Sequence, residues 1–466
     1  MKTKMLCLSE KRLRRLSALL LLLCPLAAFA LDTGAIPPSE MAVYVQDLQT
    51  GQVLQAHQAD TAFNPASTMK LVTSFAALRA LGPDFAWQTE FKSDADAANG
   101  NLNGNIYWVG SGDPVMDQND LISAQQQLRD QGIRNIKGLL VLDRSIWRGA
   151  GSAEGFGDDA GEAFATNPDP QMLAYKVVWL SPDRDEAGLP VIRTNPPLPD
   201  IVQDTRIRFV PNGSCASLKR YLSAKYADGV LQTSGTLPES CIGKETFINM
   251  LDMQDFAARS FVNQWNVAGG QITAGYQTGE APAQAQTLAI HRSPPLRKVL
   301  KRMNKSSNNV IARTVFLTMG AHASESQTVQ NAEAAVRREL VKAGLDDEAL
   351  ILENGSGLSR RERVTARLLG NLLAKAYQSP FRQAFVDTLP ISGTDGTLER
   401  RFKSRTGELY LKTGTLKNVR ALAGYYLPRN PSAHPLVIVV LVNSDKSDYY
   451  VSDIDKLVQG LLPPPQ

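Results

Sequence analysis

Ser67-Thr68-Met69-Lys70 is the only S-x-x-K tetrad in this chain of 466 residues, and it stands at the head of a helical stretch. Asn64-Pro65-Ala66 before it reads as an extended approach, because a residue preceding proline is pushed out of the helical region. Leu71, Val72, Phe75, Ala76 and Leu78 recur at helical spacing up to Leu81, and Gly82-Pro83 ends the run. Ser67 is therefore expected in the first turn, where unpaired N–H groups and the positive end of the helix dipole favour a developing oxyanion. Lys70, three residues on, points to the same side, so the two side chains can act as nucleophile and base without a histidine. A capping serine beside a solvated lysine would leave the same trace in sequence.

Two further segments bear on that choice. Lys412-Thr413-Gly414-Thr415 follows Glu408-Leu409-Tyr410-Leu411, a short strand pattern, and two more strand-like runs come after it, Ala421 to Tyr426 and Leu436 to Val442. Thr-Gly is a common dipeptide here, but only this copy follows a lysine, at the end of a strand. A plain strand-terminal turn is the other reading. Ser306-Ser307-Asn308-Asn309 lies between an amphipathic segment, Leu296 to Met303, and a helical run, Val310 to Met319. It reads either as a cap between helices or as an S-x-N element, with a hydroxyl to relay protons and an amide to hold a substrate amide. The residues alone allow two registers, Ser306/Asn308 and Ser307/Asn309.

In order, S-x-x-K, S-x-N and K-T-G resemble the motif set of the serine penicillin-recognising enzymes. Ser67 and Ser307 are 240 residues apart, and Asn309 and Lys412 are 103 apart. The long first interval is similar to that of the low-molecular-mass class C penicillin-binding proteins, the D-alanyl-D-alanine carboxypeptidase/endopeptidases of the penicillin-binding protein 4 type. Leu81-Gly82-Pro83-Asp84-Phe85, Gly112-Asp113-Pro114, Asn354-Gly355-Ser356-Gly357-Leu358-Ser359-Arg360 and Gly393-Thr394-Asp395-Gly396-Thr397-Leu398 also look like that family. Its S-x-N is followed by one residue and then Ile-Ala, so Ile311-Ala312 selects Ser307 and Asn309.

The resemblance implies hydrolysis of peptidoglycan stem peptides and cross-links through an acyl-enzyme on Ser67, with β-lactams as inhibitors. Lys70 would take the serine proton, its basicity set by desolvation and the Lys412 charge. The N–H groups of Ser67 and Thr415 would form the oxyanion hole. Ser307 would pass a proton to the leaving amine, and Asn309 would hold the substrate amide. Lys412, Thr413 and Thr415 would bind the terminal carboxylate, and Gly414 would let the substrate lie against the strand edge. Family members that cleave diaminopimelate stems place an acid and, five residues on, a phenylalanine in an insertion loop. Asp159 and Phe164 match that spacing, and Arg360 matches an arginine at the same end of the cleft. A solvated acidic loop remains the other reading of Asp159. Lys417 stands where a family member carries glutamine. A β-lactamase and a non-catalytic wall-binding protein are the competing functions; the long insertion disfavours the first and the retained motif residues disfavour the second.

Lys2, Lys4, Lys11, Arg12, Arg14 and Arg15 precede an apolar run from Leu16 to Ala28, and Ala28-Phe29-Ala30 offers a cleavage site. A cleaved signal peptide of residues 1–30 and a periplasmic enzyme, at most peripherally associated with membrane, are expected. The leader holds six of the 50 basic and one of the 46 acidic residues, which leaves 44 against 45. The near-neutral remainder gives no support for nucleic-acid binding. Cys215 and Cys241 are the two cysteines left, an even number in an exported chain, and are expected to pair; two free buried thiols are the alternative. His57, His291, His322 and His434 are scattered without ligand spacing, and no HExxH, GxSxG or Walker loop is present. No metal or cofactor is expected.

Motifs at both ends require a discontinuous α/β catalytic domain of the penicillin-binding/β-lactamase-like class, residues 31–88 and 293–466. A hairpin of Met41 to Leu48 and Val53 to Gln58 joins the three C-terminal strands in a five-stranded antiparallel sheet, flanked by helices such as Val329 to Ala343 and Val364 to Ala376. The family plan nests two insertions, 89–175 with 254–292 and 176–253. Asn-Gly turns, strands at Ile106 to Val109 and Gly138 to Leu142, and the prolines near 196–199 make this middle β-rich and helix-poor.

Overall fold

The run Leu436-Val-Ile-Val-Val-Leu-Val is apolar at every position, which suits a strand covered on both faces. In the computed structural model it forms Leu436–Asn443 at the centre of a five-stranded sheet. The structure describes residues 31–147, 156, 163–272, 274–321, 328–346 and 348–464. The expected leader and its cleavage site lie outside the described residues.

The sheet is built from Met41–Asp47 (β1), Val53–His57 (β2), Leu409–Leu416 (β3), Val419–Tyr426 (β4) and Leu436–Asn443 (β5). Its order is β2-β1-β5-β4-β3, with every neighbour antiparallel. Val43 faces Val440, and Lys412 faces Ala423. The expected sheet is therefore present. β3 is an edge strand, and the edge is where Lys412 to Thr415 lie.

Met69–Ala80 (α1) is buried along nearly its whole length, as a helix apolar on all sides must be. Leu296–Ser306 (α2), Asn309–Ala321 (α3), Thr328–Lys342 (α4) and Ala366–Tyr377 (α5) pack around it. α5 starts two residues later than its apolar pattern suggests. Val364 and Thr365 pair instead with Phe63 and Ala62, and the Thr365 hydroxyl caps α5 at Leu368 N–H.

The middle of the chain is β-rich but not helix-poor. Gln118–Asp130 and Met253–Val267 are full helices. Asp117 and Asp120 form a capping box at the first, and Asp252 caps the second. Leu121, Ala124 and Leu128 on one, and Phe256, Phe261 and Trp265 on the other, join a core with Phe91, Trp108 and Leu142. That core runs without interruption to Leu180, Leu231 and Cys241. Strands 88–93, 106–109, 140–143, 276–278 and 286–292 form a mixed sheet, in which 88–93 pairs antiparallel with 286–292. Cys215 and Cys241 are joined in a disulfide.

Phe261 stacks on Phe91 and Trp265 and is fully buried. Phe261→Ala is expected to cost about 3–5 kcal/mol, read as a lower denaturant midpoint. A change below about 1 kcal/mol would mean that this aromatic group does not hold the inserted core.

Candidate active site

Ser67 does not sit in the first turn of α1. It lies in a single 3-10 turn, Ala66–Thr68, that runs directly into the helix. The approach is not extended either: Pro65 is helical and Ala66 has φ +43°, a left-handed conformation costly for a residue with a Cβ. Asn64 holds this turn in place. Its side-chain oxygen accepts from Ala66 N–H at 2.9 Å, its amide reaches the Ser359 and Arg360 carbonyls, and its backbone exchanges two bonds with Asn443 at the end of β5.

Lys70, one helical turn on, is fully buried. Its Nζ lies 3.0 Å from Ser67 Oγ and donates at 2.6 Å to both Asn309 Oδ1 and the Ser356 carbonyl. Burial and then the Lys412 charge hold its ammonium well below the usual lysine range, while Glu362 acts in the opposite direction. Lys412 is equally buried and donates to Ser307 Oγ at 2.9 Å and to the Thr413 carbonyl at 2.8 Å. Desolvation brings its pKa down to about 7. There are thus two hydroxyl–amine pairs, one spanning the 3-10 turn and α1 and one spanning the α2–α3 junction and β3.

The junction itself is sharp. Ser307 takes φ +57° as the cap of α2, and Asn308 Oδ1 caps α3 at Ile311 N–H. Asn308 is thus a helix cap, whereas Ser307 and Asn309 reach the two lysines. Lys305 pairs with Asp395, and Thr397 Oγ1 lies 2.8 Å from Thr413 Oγ1. The 393–398 loop therefore ties β3 to α2.

Ser67, Ser307, Asn309, Thr415, Arg360 and Phe164 border one cleft of about 530 Å³, which continues past Lys417, Arg420 and Asp448. Phe164 is exposed on its wall, and Arg360 Nη1 lies 3.4 Å from the Lys417 carbonyl. Asp159 lies outside the described residues. Cys215 and Cys241 belong to the inserted core, away from this group. Among the described residues no cluster of His, Cys, Asp or Glu could hold a metal ion. His291 pairs with Asp113, and His434 with Asp47.

A Cβ at Gly414 would come within 2.7 Å of the Pro65 carbonyl and 3.2 Å of Ala66 Cβ, so the missing side chain also makes room for the serine turn. Gly357, φ +80°, is more constrained: a Cβ would fall 1.8 Å from the Ala66 carbonyl. Three groups in this neighbourhood carry no role in the sequence reading: the Ser356 carbonyl, Thr397 and the buried Glu362. The resemblance of 354–360 and 393–398 to family segments is the signal that marks the first two.

Gly357→Ala should be more harmful than Gly344→Ala, which shares a positive φ of +70° but has open space around it. Backbone strain alone predicts about 1 kcal/mol for Gly344→Ala, and overpacking adds roughly 1–3 kcal/mol at Gly357. Equal unfolding midpoints for the two variants would mean that the 354–357 loop does not press on the serine turn.

Comparison with known proteins agrees with this geometry. The profile of the D-Ala-D-Ala carboxypeptidase 3 (S13) family matches residues 22–461. D-alanyl-D-alanine carboxypeptidase DacB of Haemophilus influenzae is 27% identical over 393 residues, 83% of this chain and 82% of that protein. The crystal structure of penicillin binding protein 4 from the same organism superposes with a TM-score of 0.72 at 26% identity, covering 90% of this chain and 96% of that one. A structure of that protein complexed with a β-lactam gives 0.68 at 25% identity, with the same coverage. With Ser67, Ser307, Asn309 and Thr415 bordering one cleft and Lys70 and Lys412 buried behind the two serines, the chain belongs to the D-Ala-D-Ala carboxypeptidase 3 (S13) family.

Proposed function

We propose that this carboxypeptidase works through an acyl-enzyme on Ser67, cleaves both terminal D-alanine and cross-links of peptidoglycan stem peptides, and is acylated by penicillins. The observation that carries this reading is the buried Lys70 Nζ, 3.0 Å from Ser67 Oγ, with a second buried lysine beside it. Neutral Lys70 takes the Ser67 hydroxyl proton as Oγ bonds to the carbonyl carbon of the penultimate D-alanine. The N–H groups of Ser67 and Thr415 receive the oxyanion. The C–N bond breaks as Ser307, beside Lys412, gives its hydroxyl proton to the leaving amine and receives the proton that Lys70 took from Ser67. Water then attacks the ester carbonyl and gives its proton to neutral Lys70, which passes it to Ser67 Oγ as the shortened peptide leaves. Asn309 holds the substrate amide, and Lys412 with Thr413 and Thr415 binds the carboxylate.

The bound β-lactam in the similar Haemophilus influenzae protein supports penicillin acylation here. The cleft that Ser67 borders continues past Lys417, Arg420 and Asp448, where endopeptidase action would seat the second stem. Arg360 and the exposed Phe164 at its wall, with Asp159, form the proposed subsite for a diaminopimelate side chain. Among the described residues no helix is long and apolar enough to cross a membrane. The basic, apolar leader supports export to the periplasm.

Intact-protein and peptide mass spectrometry after benzylpenicillin should find one adduct, on the Ser67 peptide, and none in Ser67→Ala. Lys70→Ala should slow that acylation by about 10²–10⁴-fold; a wild-type rate would contradict Lys70 as base. Incubation with purified wall peptides should convert cross-linked dimers to monomers and remove terminal D-alanine. Persistence of dimers alone would limit the activity to carboxypeptidase. Asp159→Ala should weaken turnover of stems with a free amino group and spare acetylated ones.

The two lysines also set a pH profile. Lys412 must be charged to hold a carboxylate, and its free-enzyme pKa is about 7, so carboxylate binding takes up a proton above that pH and KM should rise. Lys70 must be neutral, so kcat should fall as pH drops through its lowered pKa. A KM independent of pH above about 7 would count against Lys412 as the carboxylate anchor.

A further inference from the structure

Glu362 is a fully buried acid to which the proposed chemistry gives no part. It stands at the base of a loop closed by paired bonds between Ile351 and Arg363, each 3.0 Å. From there its Oε1 accepts three consecutive backbone N–H groups, Glu353 at 3.2 Å and Asn354 and Gly355 at 3.1 Å. Its Oε2 is buried with no hydrogen-bond partner. A carboxylate left half-bonded in the interior is costly, and a neutral side chain would fill the space more cheaply.

The loop it gathers is pressed on α1 by two contacts. Lys70 Nζ donates to the Ser356 carbonyl, and Thr73 Oγ1, one turn further along α1, donates to the Gly355 carbonyl at 2.6 Å. Gly355 and Gly357 both need positive φ to make this approach. The loop thus supplies one of the three polar partners of the Lys70 ammonium.

Charge runs along the same line. Glu362 raises the basicity of Lys70 against the lowering by burial and Lys412. Burial pushes the Glu362 carboxyl up, the three N–H bonds it accepts act against that, and the charge of Glu353 adds to the rise; the Glu362 charge in turn favours the charged form of Arg313 on α3. Arg313 is held by the Ala165 and Thr166 carbonyls, Asn167 and the Phe156 ring.

We propose that Glu362 is a positioning residue for Lys70: by gathering the N–H groups of 353–355 it sets the Ser356 carbonyl on Lys70 Nζ, and it places a negative charge behind that amine. This rests on the reading of Lys70 as the base for Ser67. Too little counter-charge would leave Lys70 unprotonated but weak, and too much would keep it protonated. Lys412 and Glu362 bracket it from opposite signs.

The test is the pH dependence of benzylpenicillin acylation, followed by time-resolved intact mass, for wild type, Glu362→Gln and Glu362→Ala. The glutamine oxygen keeps the three N–H bonds but not the charge. Its acid limb should therefore move to lower pH, by about half a unit or more, with adduct yield near wild type. Glu362→Ala releases the loop and should acylate about tenfold or more slowly at the pH optimum. A Glu362→Gln profile that overlies wild type would overturn the counter-charge, and a wild-type rate in Glu362→Ala would overturn the positioning. If Glu362→Ala does not fold, Glu362→Asp, which keeps the charge but falls short of the 353–355 N–H groups, takes its place, and a wild-type acylation rate there would overturn the positioning. Wild-type protein forms the Ser67 adduct in either case, so failure here is distinct from failure of the acyl-enzyme reading.

Discussion

The site depends on keeping two lysine amines out of water and close enough to feel each other. Lys70 and Lys412 are both fully buried, on elements from opposite ends of the chain. Each loses hydration and gains little opposite charge in return, so burial drives both pKa values down. A solvated pair would stay protonated and could not take the Ser67 proton in the mechanism proposed. Everything that excludes water here, from the buried α1 to the loops against it, serves that electrostatic end.

Holding such a pair requires contacts between segments distant in sequence. Asn64 bonds to Asn443, Tyr44 to Asn371, and Asn304 on α2 to both Ser74 and Thr388. The first and last of these fix elements that bear a motif residue, and the second ties β1 of the sheet to α5. The closure entropy of such a loop grows only slowly with length, so a long insertion between Ser67 and Ser307 is tolerable. The chain leaves and returns through the antiparallel pair of strands 88–93 and 286–292, which keeps the two crossing points adjacent. The insertion thereby adds its own core without separating the catalytic elements.

Much of this was legible in residue types. Periodicity located α1 and the apolar run located β5; the strand pattern before Lys412 located the start of β3, which continues through Lys412 to Thr415 instead of ending there. The strained turn at Ala66 was not legible, because a left-handed alanine leaves no mark in composition and is set by contacts such as the Asn64 side chain and the close approach of Gly357 and Gly414. The two inserted helices were obscured by nearby Asn-Gly turns, although Asp117 with Asp120 and Asp252 were cap signals. The Ser356 carbonyl could not be read, since a backbone acceptor has no residue type. Glu362 resembled any surface acid in an arginine-rich segment, and only the fold turns it inward. Motifs name side chains that touch a substrate; the groups that hold those side chains are set by tertiary packing.

The central claim is that Lys70 rests with a strongly lowered pKa because it is buried beside Lys412. ¹³C-NMR titration of the lysine ε-carbons, with Lys70→Ala used to assign the signal, tests it most directly. The account predicts a Lys70 resonance that titrates well below the ordinary lysine range and moves upward in Lys412→Gln, where the repelling charge is gone. A Lys70 resonance titrating with the surface lysines, or one unmoved by Lys412→Gln, would contradict it.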